Sequence, residues 1–168
     1  MCYWYTGCVA ILVLDSSALV TLAAADALSL LRLSPHRAIT ATEVYRETVE
    51  AGVAGGYPDA LAIGEAFDQG MVAVRDPRRG PAAGRRADLI VLLLAEEVQA
   101  AGVLINDQSL FRKAAARGLP AQVTAELVDE LFRAGKLTRQ HRDSLLEEFV
   151  ARGRYTRQFL EAFRLLKE

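Results

Sequence analysis

Residues 11–19, with the sequence ILVLDSSAL, constrain the fold more than any other stretch. The first four are apolar and partly β-branched, which predicts a buried strand; the run stops at Asp15, ahead of two serines and a helix-forming segment. In open α/β sheets, the carboxyl ends of parallel strands face the crevice that carries the chemistry. The pattern therefore predicts a carboxylate delivered to a strand-to-helix turn. An Asp15 that only caps the following helix is the alternative at this point.

The composition favours one globular core. The chain has 168 residues, of which 52% are hydrophobic and 24% are charged, enough to bury a sizeable interior. Because Asp15 interrupts the apolar run, that run fits neither a signal peptide nor a membrane span, and we expect a cytoplasmic protein. Two cysteines are too few for a disulfide framework. With a net charge of -1, any contact with nucleic acid must depend on local charge.

Short apolar runs alternate with helical segments along most of the chain. Besides the first strand, the patterns predict strands at 38–39, 71–74, 103–105 and 121–123 and helices at 18–33, 40–51, 58–69, 88–101 and 109–117. They also predict a break near Asp26 within the first of these helices and a stop at Gly52 after the second. Such alternation implies parallel pairing through right-handed crossovers. From Thr124 onward the pattern is helical only. We interpret the chain as a single domain, 1–168, with an N-terminal extension at 1–8 and a helical appendix at 124–168.

Two glutamates on the helix that begins near residue 40 have different predicted roles. Thr40 and Glu43 match a capping box, in which the Thr hydroxyl and the Glu carboxylate satisfy free backbone N–H groups. Glu47 lies four residues further on the same helix face and has no such structural role. Glu47 is therefore the better candidate for a site.

Two further carboxylates complete the candidate set. Asp107 follows a buried strand in the same way as Asp15, and in a parallel sheet both side chains lie at the same edge. If the two strands are neighbours, the carboxylates come within reach of one hard cation. Asp88 begins a strongly apolar helix, where the helix dipole favours an anion; stabilisation of that helix end is the alternative explanation.

The loop at 75–86 is the densest basic stretch of the chain, with five Arg and one Asp. It leads directly to Asp88, so its cations should stand near the mouth of the acidic pocket. If the ligand of this pocket is a nucleic acid, we predict that Arg78, Arg79 and Arg85 contact its phosphates. The alternative is a solvated loop with scattered surface ion pairs.

The order Asp, Glu, Asp, Asp on this layout resembles the PIN-domain proteins, and in particular the VapC-like metal-dependent ribonucleases. The segment VLDSSAL at 13–19 is similar to the opening Asp-x-Ser motif of that family, and VYRE at 44–47 to its Val-x-x-Glu helix. ADLI at 87–90 is similar to the helix of the third acid, and LINDQ at 104–108 to the strand of the fourth. The similarity covers nearly the whole chain.

The resemblance implies a three-layer, doubly wound parallel sheet of about five short strands with a C-terminal helical appendix. It implies that the catalytic and metal-binding residues, for Mg²⁺ or Mn²⁺, are Asp15, Glu47, Asp88 and Asp107, with Ser17 as a weakly substrate-binding neighbour. The activity it implies is endoribonuclease cleavage of RNA that leaves 5′-phosphate and 3′-hydroxyl ends. It also implies either a toxin paired with an antitoxin protein or a solitary RNA-processing enzyme, and it implies a homodimer.

Departures from the family pattern keep two alternatives open. Asp88 stands where Glu is common, which shortens its reach, and Gln108 stands where many members carry another Asp. Gln108 and the modest charge favour a catalytically weak PIN-like module for protein association. A phosphatase or phosphotransfer domain with Asp15 as nucleophile is the other alternative, although Ser17 occupies the place of its usual second acid.

Overall fold

The computed structural model describes residues 9–79 and 87–167, and the central element within them is one parallel sheet. The sheet has five strands in the order β3-β2-β1-β4-β5, and all four strand pairs are parallel. The strands are β1 (Ile11–Leu14), β2 (Arg37–Thr40), β3 (Ala73–Val74), β4 (Gly102–Leu104) and β5 (Ala121–Gln122). This arrangement confirms the predicted three-layer, doubly wound α/β fold.

Helices connect the strands and follow the last one. They are α1 (Ser16–Ala24), α2 (Leu30–Leu33), α3 (Thr42–Tyr45), a π-helical segment (Arg46–Glu50), α4 (Ala51–Ala54), α5 (Pro58–Asp68), α6 (Ala87–Glu97), α7 (Gln108–Ala116), α8 (Thr124–Arg133), α9 (Arg139–Ala151) and α10 (Arg157–Lys167). Asp26, at a φ of 52°, separates the first two helices where the sequence predicted a break.

The strand order creates a crevice between β1 and β4. The chain proceeds from β1 through β2 to β3 on one side, then crosses to β4 and β5 on the other, so β1 and β4 are neighbours whose connections leave in opposite directions. Val13 is in register with Val103, and the Asp15 N–H donates to the Leu104 carbonyl at 3.1 Å. Such a switch point is where open α/β sheets bind ligands.

The core is formed by the inner strands and the helices packed on them. Val13, Leu14 and Val103 have no exposed surface, and neither do Val91 and Leu94 of α6. Burial on both faces explains why these strands are continuous apolar runs rather than alternating ones. The tail helices α8 to α10 bury side chains in the same hydrophobic cluster, including Leu127, Phe149 and Leu160.

The predicted capping box at Thr40 and Glu43 is wrong. Thr40 is the last residue of β2, and its hydroxyl donates to the Leu14 carbonyl at 2.6 Å, so it is not available as a cap. The helix begins at Thr42, whose backbone N–H and hydroxyl both donate to the Asp76 carboxylate at 2.8 and 2.6 Å. Glu43 instead accepts from Arg46 at 2.9 Å.

Among the described residues, none of the helices combines the length and the hydropathy needed to cross a membrane.

Candidate active site

A cavity of about 900 Å³ opens at the carboxyl ends of β1 and β4. Ser17 and all four predicted carboxylates line it. The four carboxylates are those of Asp15, Glu47, Asp88 and Asp107. These residues come from distant parts of the chain, and the sheet topology brings them to one place. Within the described part of the chain, no three Asp, Glu, His or Cys side chains are arranged so that they could hold a metal ion in this conformation.

Asp15 is the most buried of the four, with 2% of its surface exposed. Its Oδ2 accepts from the Ser17 backbone N–H at 3.0 Å and from the Ser17 hydroxyl at 2.5 Å, which makes it the N-cap of α1. Its Oδ1 is buried without a hydrogen-bond partner among the described residues. Burial raises the pKa of Asp15 and the nearby Asp88 charge adds to the shift, while the hydrogen bonds from Ser17 oppose it. Asp15 therefore uses one carboxylate oxygen to cap α1, and its other oxygen has no part in the cap.

Ser17 joins the ends of the two central strands. Its hydroxyl donates to Asp15 and accepts from the backbone N–H groups of Asn106 at 2.9 Å and of Asp107 at 3.2 Å. The predicted neighbour of the site is thus a positioning residue for two of the carboxylates. Its alcohol satisfies backbone groups that would otherwise lie unpaired at the strand end.

Asn106 is the centre of a polar network that the sequence analysis missed. Its amide nitrogen donates to the hydroxyls of Thr21 at 2.9 Å and Thr124 at 3.0 Å, and its Oδ1 accepts from the Thr124 N–H at 3.0 Å. The Tyr155 hydroxyl completes the network, at 3.2 Å from Asn106 Oδ1 and 2.8 Å from the Thr124 hydroxyl. The one available sequence signal was an Asn beside Asp107 at the end of an apolar strand. Its partners lie far away in the chain.

Asp107 and Asp88 occupy the first turns of two helices. Asp107 is exposed, and its Oδ1 accepts from the Leu110 N–H at 2.7 Å as the N-cap of α7. Asp88 lies 4.0 Å from Lys113 Nζ, and 46% of its side chain is exposed. Both alternatives considered for these residues, a cap and a helix-end anion, are compatible with a place in the pocket.

Glu47 enters the pocket from the π-helical segment. The side chain is exposed, and the partial burial that it does experience raises its pKa; the charges of Asp15 and Asp88 act in the same direction and the Ser16 hydroxyl opposes them. Glu43 does not line the pocket. The prediction that Glu47 rather than Glu43 is the site residue of this helix agrees with this placement.

Arg78 and Arg79, the two predicted loop arginines that the structure describes, do not line this pocket. Arg78 and Arg79 border a separate groove of about 430 Å³ with Leu93, Glu96 and Glu97. The Arg78 backbone N–H donates to Glu97 Oε2 at 2.7 Å, at the end of α6 opposite Asp88. Arg85 lies outside the described residues. Substrate contact by these arginines stays a prediction.

Other residues that the sequence analysis did not single out also line the acidic pocket. Lys113 comes from α7 and Arg154 from the turn after α9, and Tyr57 and Asp59 come from the start of α5. Arg154 lies 3.7 Å from Asp59. The sequence around these positions does not distinguish them from ordinary surface residues.

The chemistry of the donor set suits a hard divalent cation, although the present conformation does not bring three of the described carboxylates together around one point. The four predicted ligands supply only carboxylate oxygens, which Mg²⁺ and Mn²⁺ prefer, and one of these oxygens, Asp15 Oδ1, is buried without a hydrogen-bond partner in the part of the chain that the structure describes. Burial is the main cause of the raised pKa values of Asp15 and Glu47, and the neighbouring carboxylate charges add to the shift; a bound cation would oppose both effects.

No curated protein matches the chain at a significant level. A family model described as a PIN domain matches residues 11–167, which is nearly all of the sequence. PIN domains are generally nucleases and generally use divalent metal ions. This match, with the parallel sheet and the acidic pocket at its switch point, shows that the chain belongs to the PIN-domain family.

Proposed function

We propose that this protein is a metal-dependent endoribonuclease. The observation that carries the proposal is the acidic pocket at the switch point, in which Asp15 is buried and keeps Oδ1 without a partner among the described residues. A buried carboxylate oxygen without a donor is costly, so its retention favours a functional role.

The residues that would hold Mg²⁺ or Mn²⁺ are Asp15, Glu47, Asp88 and Asp107. Such a cation, when bound, acidifies water and neutralises charge on an attacked phosphodiester. Without it, burial and, to a smaller extent, the neighbouring carboxylate charges raise the pKa values of Asp15 and Glu47. Divalent-cation affinity should therefore increase with pH as these two groups lose their protons.

The protein's own hydrogen bonds orient this site before substrate arrives. Ser17 occupies Asp15 Oδ2 and leaves Oδ1 available, and it also fixes the backbone at Asn106 and Asp107. Because α1 is capped by Asp15 and α7 by Asp107, the two carboxylates are held on rigid helix starts. Such preorganisation reduces the reorganisation needed during reaction.

The test is cleavage of single-stranded RNA by the purified protein with Mg²⁺ or Mn²⁺ and with a chelator. We expect cleavage only with the divalent ion, and we expect Asp15→Asn, Asp107→Asn and Glu47→Gln each to lower the rate by about a hundredfold or more, as loss of a strong electrostatic contribution does. Glu43→Gln is the matched control, because Glu43 lies on α3, about one turn before Glu47, outside the pocket and pairs with Arg46. Full activity of folded Asp15→Asn would contradict the proposal, and a phosphorylated Asp15 would favour phosphotransfer instead.

The resemblance to VapC-like ribonucleases supports a finer proposal, a cytoplasmic toxin that acts as a homodimer and is neutralised by an antitoxin protein. Induced expression of the wild-type chain in bacteria should then arrest growth, whereas the Asp15→Asn variant should not. Unaffected growth would overturn the toxin proposal, and a monomer in size-exclusion chromatography would overturn the homodimer proposal. The nuclease proposal does not depend on either result.

A further inference from the structure

Besides its carboxylates, the acidic pocket is lined by cationic and aromatic side chains that have no role in the proposed metal site. Among the described residues lining the pocket, Lys113 and Arg154 are the cations and Tyr57 is the aromatic residue. Tyr57 lies between α4 and α5, Lys113 lies on α7, and Arg154 lies in the turn that follows α9. Together they form a rim that consists of three separate parts of the chain around one opening.

Both cations are held only weakly by their present partners. Lys113 Nζ is 4.0 Å from Asp88 Oδ2 with 52% of its side chain exposed, and Arg154 Nη2 is 3.7 Å from Asp59 Oδ2 with 34% exposed. Exposed pairs at such distances contribute little to folding stability. The two cations can therefore exchange a carboxylate partner for a phosphate with little cost to the fold.

The charge of the pocket favours such contacts for a polyanionic substrate. Five described carboxylates line the pocket against two cations: Asp15, Glu47, Asp59, Asp88 and Asp107. A nucleic-acid backbone that approaches this excess of negative charge is repelled unless cations stand at the points where its phosphates pass. The two cations lie on different sides of the pocket. Lys113 pairs with Asp88 of α6, whereas Arg154 pairs with Asp59 of α5.

Tyr57 supplies a surface for a base. Its ring is 67% exposed and lies against the Gly55 backbone, since a Cβ added at Gly55 would come within 2.8 Å of Tyr57 Cε2. A supported, exposed ring at the mouth of a pocket suits stacking on an unpaired base, which tolerates any sequence. Cations interleaved with an aromatic ring are typical of surfaces that bind single strands.

We propose that Tyr57, Lys113 and Arg154 form a binding rim for single-stranded RNA, in which the two cations contact backbone phosphates and the tyrosine ring stacks on a base. This inference rests on the proposed nuclease function and adds to it how the substrate is held across the pocket. It assigns the phosphate contacts to the rim, whereas Arg78 and Arg79 border a different groove with two glutamates.

The test is binding of a fluorescent single-stranded RNA by the full chain in an Asp15→Asn background with a chelator present, over a series of salt concentrations. Lys113→Ala and Arg154→Ala should each reduce the slope of log affinity against log salt by about 0.7, and together by about 1.4. Tyr57→Ala should instead lower the affinity about fivefold or more at every salt concentration, with the slope unchanged. Lys113→Arg, Arg154→Lys and Tyr57→Phe keep the charge or the ring and should bind normally.

Three neighbouring positions provide matched controls outside the pocket. Arg112 lies beside Lys113 and borders another groove, Arg152 is paired with Glu148 at 2.7 Å, and Leu61 is an apolar residue one turn after Tyr57 with 65% exposed. Alanine at each of these positions should leave the RNA affinity and its salt slope the same as in the Asp15→Asn protein. Thermal melts verify that every variant is folded.

The outcomes separate this inference from the nuclease proposal. Suppose that the wild type cleaves RNA while the rim variants bind RNA with the same salt slope and affinity as the Asp15→Asn protein. The rim proposal is then wrong, and the nuclease proposal stands. A flatter slope in the Arg78→Ala, Arg79→Ala, Arg85→Ala triple variant together with an unchanged slope in the rim variants would place the phosphate contacts on the loop and overturn the rim. Absence of both cleavage and binding in all proteins would remove both proposals.

Discussion

The two oxygens of the Asp15 carboxylate have different environments. Oδ2 accepts two hydrogen bonds from Ser17 and caps α1, whereas Oδ1 is buried without a partner among the described residues. A cap needs one oxygen, so the second one is available for a ligand. At the residue scale, this division explains how one side chain can stabilise a helix and serve a site.

The raised pKa of Asp15 predicts how stability depends on pH without divalent ions. Because the folded-state pKa lies above the ordinary value of 3.8, the charged form destabilises the fold. Stability should therefore fall as the pH rises from below 3.8 through the folded-state pKa, and the full cost should be present at neutral pH. Asp15→Asn keeps a residue that caps well and removes the charge, so its free energy of unfolding at neutral pH should equal or exceed that of the wild type.

Chemical denaturation at several pH values checks this prediction. Asp15→Ala is the comparison, because it also removes the charge but loses the cap, at a cost of about 1 kcal/mol relative to Asn. An Asp15→Asn protein that is less stable than the wild type at neutral pH and equally stable in acid would show that the charge is favourable in the fold.

At the element scale, the segment from α3 through the π-helical segment to α4 forms one wall of the pocket. It places Glu47 in the pocket and Gly52 against Ala60 of α5, where an added Cβ would lie 2.7 Å from the Ala60 Cβ. The sequence predicted that Gly52 ends this helix, but α4 continues through it to Ala54. The glycine is there for close packing of two helices rather than for a helix stop.

Gly52→Ala should therefore destabilise the protein. Overpacking costs about 1–3 kcal/mol, which exceeds the gain of about 1 kcal/mol in helix propensity from Gly to Ala. The matched control is Gly64→Ala on α5, where the added Cβ would meet only Val49 Cγ1 at 3.4 Å, an ordinary contact. We expect Gly64→Ala to be neutral or stabilising in thermal melts. A Gly52→Ala protein that melts above the wild type would contradict the packing argument.

At the scale of the whole molecule, the helical tail is connected to the site through Tyr155. The Tyr155 ring stacks on Phe159 with centroids 4.5 Å apart, and its hydroxyl reaches Thr124 and Asn106, next to Asp107. Burial raises the pKa of Tyr155, so the hydroxyl keeps its proton well into alkaline solution. The tail thus helps to fix the end of β4 that carries the fourth carboxylate.

Tyr155→Phe should reduce both stability and the cleavage rate. It keeps the aromatic stack and removes the hydroxyl, which leaves buried polar groups unpaired at a cost of about 1–3 kcal/mol. The matched control is Thr138→Ala, which removes the N-cap of α9 in the same tail and should cost about 1 kcal/mol without touching Asn106. Turnover measured well below both melting temperatures distinguishes them, because only Tyr155→Phe should lower kcat. Equal kcat values would mean that the tail does not position the site.

The local sequence pattern was enough to predict the α/β class, five short parallel strands and the ends of β1 and β4 as the places for Asp15 and Asp107. A strand that ends at a charged residue can be recognised from a few neighbouring residues, because the apolar run and the charge are adjacent in sequence. Parallel pairing of the strands follows from the alternation of strands and helices along the chain. The prediction of four carboxylates in one place depended on these local signals together with the resemblance to the PIN-domain family, which implied the full set. Their catalytic role stays a prediction, as does that of the loop arginines.

Tertiary structure alone decided how the site is held together. Ser17 meets Asn106 across 89 positions of sequence, and Tyr155 meets it across 49, so neither contact has a local signature. The same holds for the placement of Lys113 and Arg154 in the pocket and for Asp76, rather than Thr40, as the cap of α3. Local periodicity determines which elements form, whereas the partner that satisfies a buried polar group depends on which elements pack side by side.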